Sequence, residues 1–159
     1  KDELLKGYYK IPCELTSIDL AEIMIADSNV EKLRLLNKIF VDFVQNSGVS
    51  IVKQIVIKNL NDNNTGTFKF NDEHKQLFKI QLDIIKKGQK SGEFLNKTRP
   101  EVLSILVIQQ LHANALRWCF RNGTFDFEYV SRYLFETILD VSEEHRKCKE
   151  IDEEFLFDI

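Results

Sequence analysis

The chain has 159 residues, with 22 Lys and Arg against 25 Asp and Glu, for a formal charge of -3. At 43% apolar and 30% charged it has the composition of one ordinary globular domain, neither disordered nor fibrous. The near-neutral balance excludes DNA binding by bulk positive charge, and two Pro with six Gly favour long helices over a loop-rich β fold.

Lys1 to about Lys10 reads as a helix stopped near Pro12. Thr16 or Ser17 caps a short helix through Ile25. Ser28-Asn29-Val30-Glu31 has the form of a capping box, in which the Ser hydroxyl and the Glu carboxylate satisfy opposite orphan N–H groups. Behind it Leu33, Leu36, Phe40, Phe43 and Val44 repeat at helical spacing, with Gly48 as the stop. From Val49 to Leu60 the β-branched residues would also suit a strand. Length, and the stripe at Val52, Ile55, Val56 and Leu60, point to a helix. Asn61 to Asn71 is a polar loop, and its Thr67-Phe68-Lys69-Phe70 piece suits a short extended stretch or a lid.

Asn71 or Asp72 caps the next helix, with Leu77, Phe78, Leu82 and Ile85 on one face, and Gly92 ends it. Thr98-Arg99-Pro100-Glu101 is a second capping box with Pro in the first turn, opening a helix to Asn122 with Gly123 as its stop. Asp126 caps a last helix through about Val141, striped by Phe127, Val130, Leu134, Ile138 and Val141. These two helices are apolar on more than one side, so each is expected to pack on two layers. The tail from Ser142 is highly charged and ends in Phe155-Leu156-Phe157, as a short docked helix or a frayed end. No apolar run approaches the ~18 residues of a membrane span.

Cys13, Cys119 and Cys148 are an odd, scattered set, which favours reduced thiols and a cytoplasmic setting. The chain carries no phosphate-binding Gly-rich loop, no zinc-protease helix motif, no paired-Cys motif and no nucleophile elbow. His74, His112 and His145 fall in separate elements, so neither a metal site nor a cofactor is expected. His112 and Cys119 share a helix face but stand two turns apart, about 10.5 Å, too far for a nucleophile–base pair. Catalytic residues are therefore not assigned. Cys119, between Trp118 and Phe120, reads as a buried inert thiol.

Asn114 and Trp118 lie one turn apart on one face. Asn114 suits a core amide bonded to a neighbouring backbone or water first, and a ligand-facing amide in an aromatic pocket second. His112 likewise suits packing, an interface or a ligand contact. Phe40, Phe43, Phe78 and Phe120 fall on expected inward faces. They suit simple core filling or the walls of a pocket for a small apolar ligand.

Three stretches carry a likeness. They are Lys1-Asp2-Glu3-Leu4-Leu5-Lys6-Gly7-Tyr8-Tyr9, the run Ile84-Ile85-Lys86-Lys87-Gly88-Gln89-Lys90-Ser91-Gly92-Glu93-Phe94, and Trp118 followed by Gly123-Thr124-Phe125-Asp126. In order and spacing they resemble the C-terminal regulatory domain of tetracycline-repressor-type (TetR) transcriptional regulators, over most of the chain to about Val141. The resemblance implies an all-α bundle of about six helices that forms a homodimer through its last two long helices, packed with the partner's as a four-helix bundle. It further implies that residues 1–10 are a connecting helix from an N-terminal helix-turn-helix domain absent from this sequence. Residues 11–159 would be the ligand-binding and dimerisation domain. A small, apolar or aromatic effector would enter this domain and shift the DNA-binding heads, so that operator DNA is touched only through the absent domain. No membrane partner is implied. With that arrangement, helical phase selects Phe40, Phe43, Val56, Phe78, Leu82, Asn114 and Trp118 as the ligand-binding set. Ile105, His112, Val130, Leu134 and Ile138 form the expected dimer interface. The alternatives are a helical protein-interaction module without a small-molecule ligand and, with less support, an α-helical enzyme.

Overall fold

A computed structural model describes residues 15–61 and 72–151. Among them the chain forms five α-helices: α1 (Ser17–Ile25), α2 (Asn29–Asn61), α3 (Asp72–Ser91), α4 (Pro100–Phe120) and α5 (Phe127–Ile138). The expected helix at Lys1–Lys10, the Thr67–Phe70 stretch and the Phe155–Phe157 end lie outside the described residues. No helix among the described residues is long and apolar enough to cross a membrane.

Local chemistry explains most boundaries. Thr16 caps α1: its hydroxyl accepts from Asp19 N–H at 3.1 Å, and its own N–H donates to the Asp19 carboxylate at 2.8 Å. Gly48, with φ 76 and ψ 162, interrupts α2 where a stop was expected. The 49–61 half resumes at once, so the two expected helices form one kinked element. Asp126 caps α5 by accepting from Tyr129 N–H at 2.9 Å. Beyond α4, Asn122 at φ 53 and Gly123 at φ 77 turn the chain, and Gly123 N–H returns to the Trp118 carbonyl at 2.8 Å.

Three expectations need correction. Ser28 does accept from Glu31 N–H at 3.1 Å, but the Glu31 carboxylate does not turn back to close the box. It binds Arg34 at 2.7 Å and Arg132 of α5 at 2.6 Å, because two guanidiniums outbid a backbone N–H for one carboxylate. The orphan donors at the start of α2 go instead to Glu93, which accepts from Val30 N–H at 3.1 Å and from the Asn29 side-chain amide at 2.6 Å. Thr98 caps nothing. Arg99 is the N-cap of α4 without a side-chain bond, while Pro100 does sit in the first turn. Finally α5 ends at Ile138 rather than Val141, because Asp140 adopts φ 49 and Val141 pairs with Phe94 in an isolated antiparallel bridge.

That bridge belongs to a brace built from the Gly88–Phe94 stretch. Phe94 is fully buried, and its N–H donates to the Gly88 carbonyl at 3.0 Å. Leu95 N–H donates to Asp140 O at 2.9 Å, Asn96 Nδ2 to Ile138 O at 2.7 Å, and Ser142 N–H to Glu93 O at 2.9 Å. The stretch between α3 and α4 thus ties the start of α2 to the end of α5. Burial works to raise the Glu93 carboxyl. Bonds from Asn29, from Ser91 and from the backbone N–H groups of Val30 and Asn29 outweigh it and hold the group below its usual 4.5. A depressed folded-state value gives stability that is present above pH 4.5 and lost as pH falls through the folded value. Glu93→Gln is therefore expected to lower stability by about 1–2 kcal/mol at neutral pH and to flatten its dependence on pH below 4.5. Urea midpoints measured from pH 7 to pH 3 test this, and an unchanged acid slope would contradict the assignment. Glu31 is depressed in the same direction and supplies a residual slope.

The core divides in two. The first cluster joins Val30, Leu33 and Leu36 of α2, Ile84 and Ile85 of α3, Leu103 and Val107 of α4, Phe135 of α5, and Phe94, Leu139 and Val141. The second joins Val41, Val44 and Val52 of α2, Leu111, Ala115, Trp118 and Cys119 of α4, and Phe127 of α5. The two clusters lie at successive levels along α4, on one face of it. Within the chain α4 therefore packs on one side only, and its second apolar side, with Val102, Ile105, Leu106 and Phe120, is exposed. On the other side of α5, residues 142–151 are held by Glu136, a fully buried carboxylate. It accepts from Arg132 at 2.7 Å and from the backbone N–H groups of Lys147 at 3.1 Å and Cys148 at 2.9 Å. Burial and the nearby Glu136 charge push the Cys148 thiol up to about 11, so it is an unreactive core group.

Candidate functional site

The second cluster is where expected pocket residues meet. Phe40 and Phe43 of α2 pack against it half-buried, and Trp118 is buried in it. Their rings form a row: His112 lies edge-on to Phe40 at 5.2 Å, Phe40 to Phe127 at 6.4 Å, and Phe127 beside Trp118 at 6.3 Å. Gly123 is needed beside this row, since a Cβ there would stand 3.0 Å from the Trp118 ring at a positive φ. Cys119 is buried against the same cluster, and burial raises its thiol.

Asn114 is buried and donates to Gln110 Oε1 at 2.9 Å, while Gln110 Nε2 reaches the Ser131 carbonyl at 3.4 Å. The amide thus has a side-chain partner within α4. Val56, Phe78 and Leu82 are half-buried on α2 and α3, and neither apolar cluster includes them. The structure therefore gathers four of the seven expected ligand residues, Phe40, Phe43, Asn114 and Trp118, around α4.

The expected interface residues spread over different environments. Ile105 is 47% exposed. His112 is half-buried against Phe40, and Leu134 is half-buried on α5. Ile138 packs on the first cluster, and Val130 is buried within the chain. Phe120, expected to point inward, is 76% exposed. Two residues along a helix differ by about 200°, so Phe120 cannot share the inward face that Trp118 occupies. It joins Val102 and Leu106, both exposed, in a stripe along α4 that helical phasing also runs through Ala113. Sequence reading missed this stripe because the helix is apolar on both sides, and periodicity does not say which side is free.

Among the described residues no group of three His, Cys, Asp or Glu is placed to hold a metal ion. The charged network Glu31, Arg34, Arg132 and Glu136 consists of mutually satisfied ion pairs at 2.6 to 2.7 Å. It joins α2 to α5 and presents no unpaired acid or base.

Comparison with known proteins agrees with the likeness carried by the three stretches. Residues 10–141 match the family described as the YsiA-like protein, C-terminal region, a TetR-type C-terminal family. No curated protein and no solved structure gives a significant match. The match spans most of the chain and covers all five described helices: the chain belongs to the TetR family, as a C-terminal domain of the YsiA-like type.

Proposed function

We propose that this chain is the effector-sensing, dimerising part of a one-component transcriptional repressor. The observation that carries the reading is the division of α4 into two apolar faces. One face, with Leu111, Ala115 and Trp118, lines the aromatic cluster. The other exposes Val102, Ile105 and Leu106 near its start and Phe120 at its end, with the exposed Gln109 and Ala113 between them. Exposed apolar side chains grouped on one side of a helix mark an interaction surface. The family membership supports a second copy of the chain as its occupant.

In this reading a small apolar or aromatic molecule enters beside Phe40, Phe43 and Trp118. Because α4 bears the cluster on one face and the partner on the other, a shift of α4 alters how the two protomers sit. The effector acts by binding one of the two arrangements more tightly, and operator binding is the work of a helix-turn-helix segment outside these residues. Among the described residues the buried and half-buried acids and bases Glu31, Arg34, Arg132 and Glu136 are paired with one another, and no observation favours an enzyme reading.

Leu106→Glu tests the interface, because Leu106 is exposed and belongs to neither core cluster. A buried unpaired carboxylate on each side of the interface is expected to weaken association by about 100-fold or more. Light scattering should then show a monomer with unchanged helical content. A variant that dimerises as the unaltered chain does would overturn the assignment. Ile138→Asp is a poorer probe, since Ile138 packs on the chain's own core.

A further inference from the structure

Buried hydrogen-bonding groups without partners are rare and costly in a core. Asn37 Nδ2 and the hydroxyls of Ser104 and Ser131 are of this kind here. Asn37 lies at the centre of the buried stripe of α2, one turn after Leu33 and one turn before Val41. Ser131 lies at the centre of the buried stripe of α5, one turn from Phe127 and one turn from Phe135. The contacts Glu31–Arg132 and Phe40–Phe127 show that α2 and α5 run antiparallel. From the Phe40–Phe127 contact Asn37 is three residues away and Ser131 four, both towards the same end. That is about 4.5 Å and 6 Å, and with the Glu31–Arg132 pair as the second reference the two residues stand within about one helical turn of the same level. Gln110, two residues before His112 on α4, reaches that level too, and Asn114 is bonded to it. Ser104 lies about 9 Å further along α4, outside this layer.

Asn37, Gln110, Asn114 and Ser131 therefore form a polar seam where the first cluster ends and the second begins. Leu36 belongs to the first and Val41 to the second, just as Val107 belongs to the first and Leu111 to the second. The seam has donors left over and no charged member. The guanidinium next in sequence, Arg132, is already bound to Glu31 and Glu136.

We propose that this seam is the subsite for the polar group of the effector, and that this group is an uncharged hydrogen-bond acceptor, a ketone, ester or amide carbonyl on an apolar body. The proposal rests on the effector-sensing reading above and specifies its chemistry. Asn37 Nδ2 and the Ser131 hydroxyl donate to the carbonyl oxygen, and the apolar body extends along Phe40 and Trp118. A carboxylate is rejected because the seam holds no cation to offset its lost hydration.

Trp118 is the only tryptophan and lies one turn beyond Asn114, so its emission reports on the site. The intact chain would be titrated with methyl nonyl ketone, undecanoate and undecane, and the series repeated with Asn37→Leu. The ketone is expected to bind about tenfold more tightly than either of the others. Asn37→Leu should remove most of the ketone preference, leaving about a threefold difference from the Ser131 hydroxyl, while raising the melting temperature by about 2–4 °C, because it removes an unpaired buried donor. Undecanoate binding as tightly as the ketone, or a ketone preference undiminished in Asn37→Leu, would overturn the subsite and leave the effector reading standing. A chain that binds none of the three loses both.

Discussion

Gly88→Ala is expected to destabilise the chain by about 3 kcal/mol or more, lowering the melting temperature by about 6–12 °C. Helix propensity alone gives the opposite sign, since Ala in a helix interior is about 1 kcal/mol better than Gly. The contact decides it. A Cβ at Gly88 would stand 2.2 Å from two ring carbons of Phe94. That ring cannot swing away cheaply: Phe94 is fully buried, its N–H is bonded to the Gly88 carbonyl, and its backbone pairs with Val141. Either the ring leaves the core or the whole brace between α3 and α5 moves. Differential scanning calorimetry of Gly88→Ala reads the sign directly, and a melting temperature unchanged or raised would refute this account of the brace. Combining it with Phe94→Leu, which removes ring volume, should recover part of the loss.

Glu136→Leu is expected to cost about 3 kcal/mol and to release the segment after Ser142 from α5. The carboxylate is fully buried and takes three donors, Arg132 and the N–H groups of Lys147 and Cys148. Leucine fills the space but leaves the two backbone N–H groups unpaired and Arg132 with Glu31 alone. Glu136→Gln keeps an acceptor and should lose about half as much. Hydrogen exchange at Lys147 and Cys148 separates the two effects, rising by about 100-fold or more in Glu136→Leu. Exchange as slow as in the unaltered chain would show that the segment is held by something else.

Much of the helical layout is legible in the sequence, because caps and glycines act locally. Thr16, Gly48, Gly123 and Asp126 do what their residue types and positions imply. Legibility fails where a distant group competes. Glu31 looks like the partner of Ser28 three residues away, yet Arg132, 101 residues on, takes its carboxylate, and Glu93 takes over at the helix start. The Gly88–Phe94 stretch is recognisable as a family likeness, but its reason, a glycine that makes room for a phenylalanine ring, exists only in three dimensions. The candidate site is read in part for a similar reason. Phe40, Phe43 and Trp118 meet because three helices converge on one cluster. Val56, Phe78 and Leu82 share their apolar character without sharing that cluster, and periodicity cannot tell the two cores apart. The polar seam left no periodic signal, since one Asn and one Ser in apolar stripes look like interruptions of a pattern.

The claim that α4 serves an aromatic core on one face and a second copy of the chain on the other is tested most directly by the mass of the unaltered protein in solution. Sedimentation equilibrium at micromolar concentration should give a single species of twice the 18.7 kDa chain mass, stable to dilution. A species of 18.7 kDa at every concentration would contradict it and favour a helical module whose exposed stripe awaits a different partner.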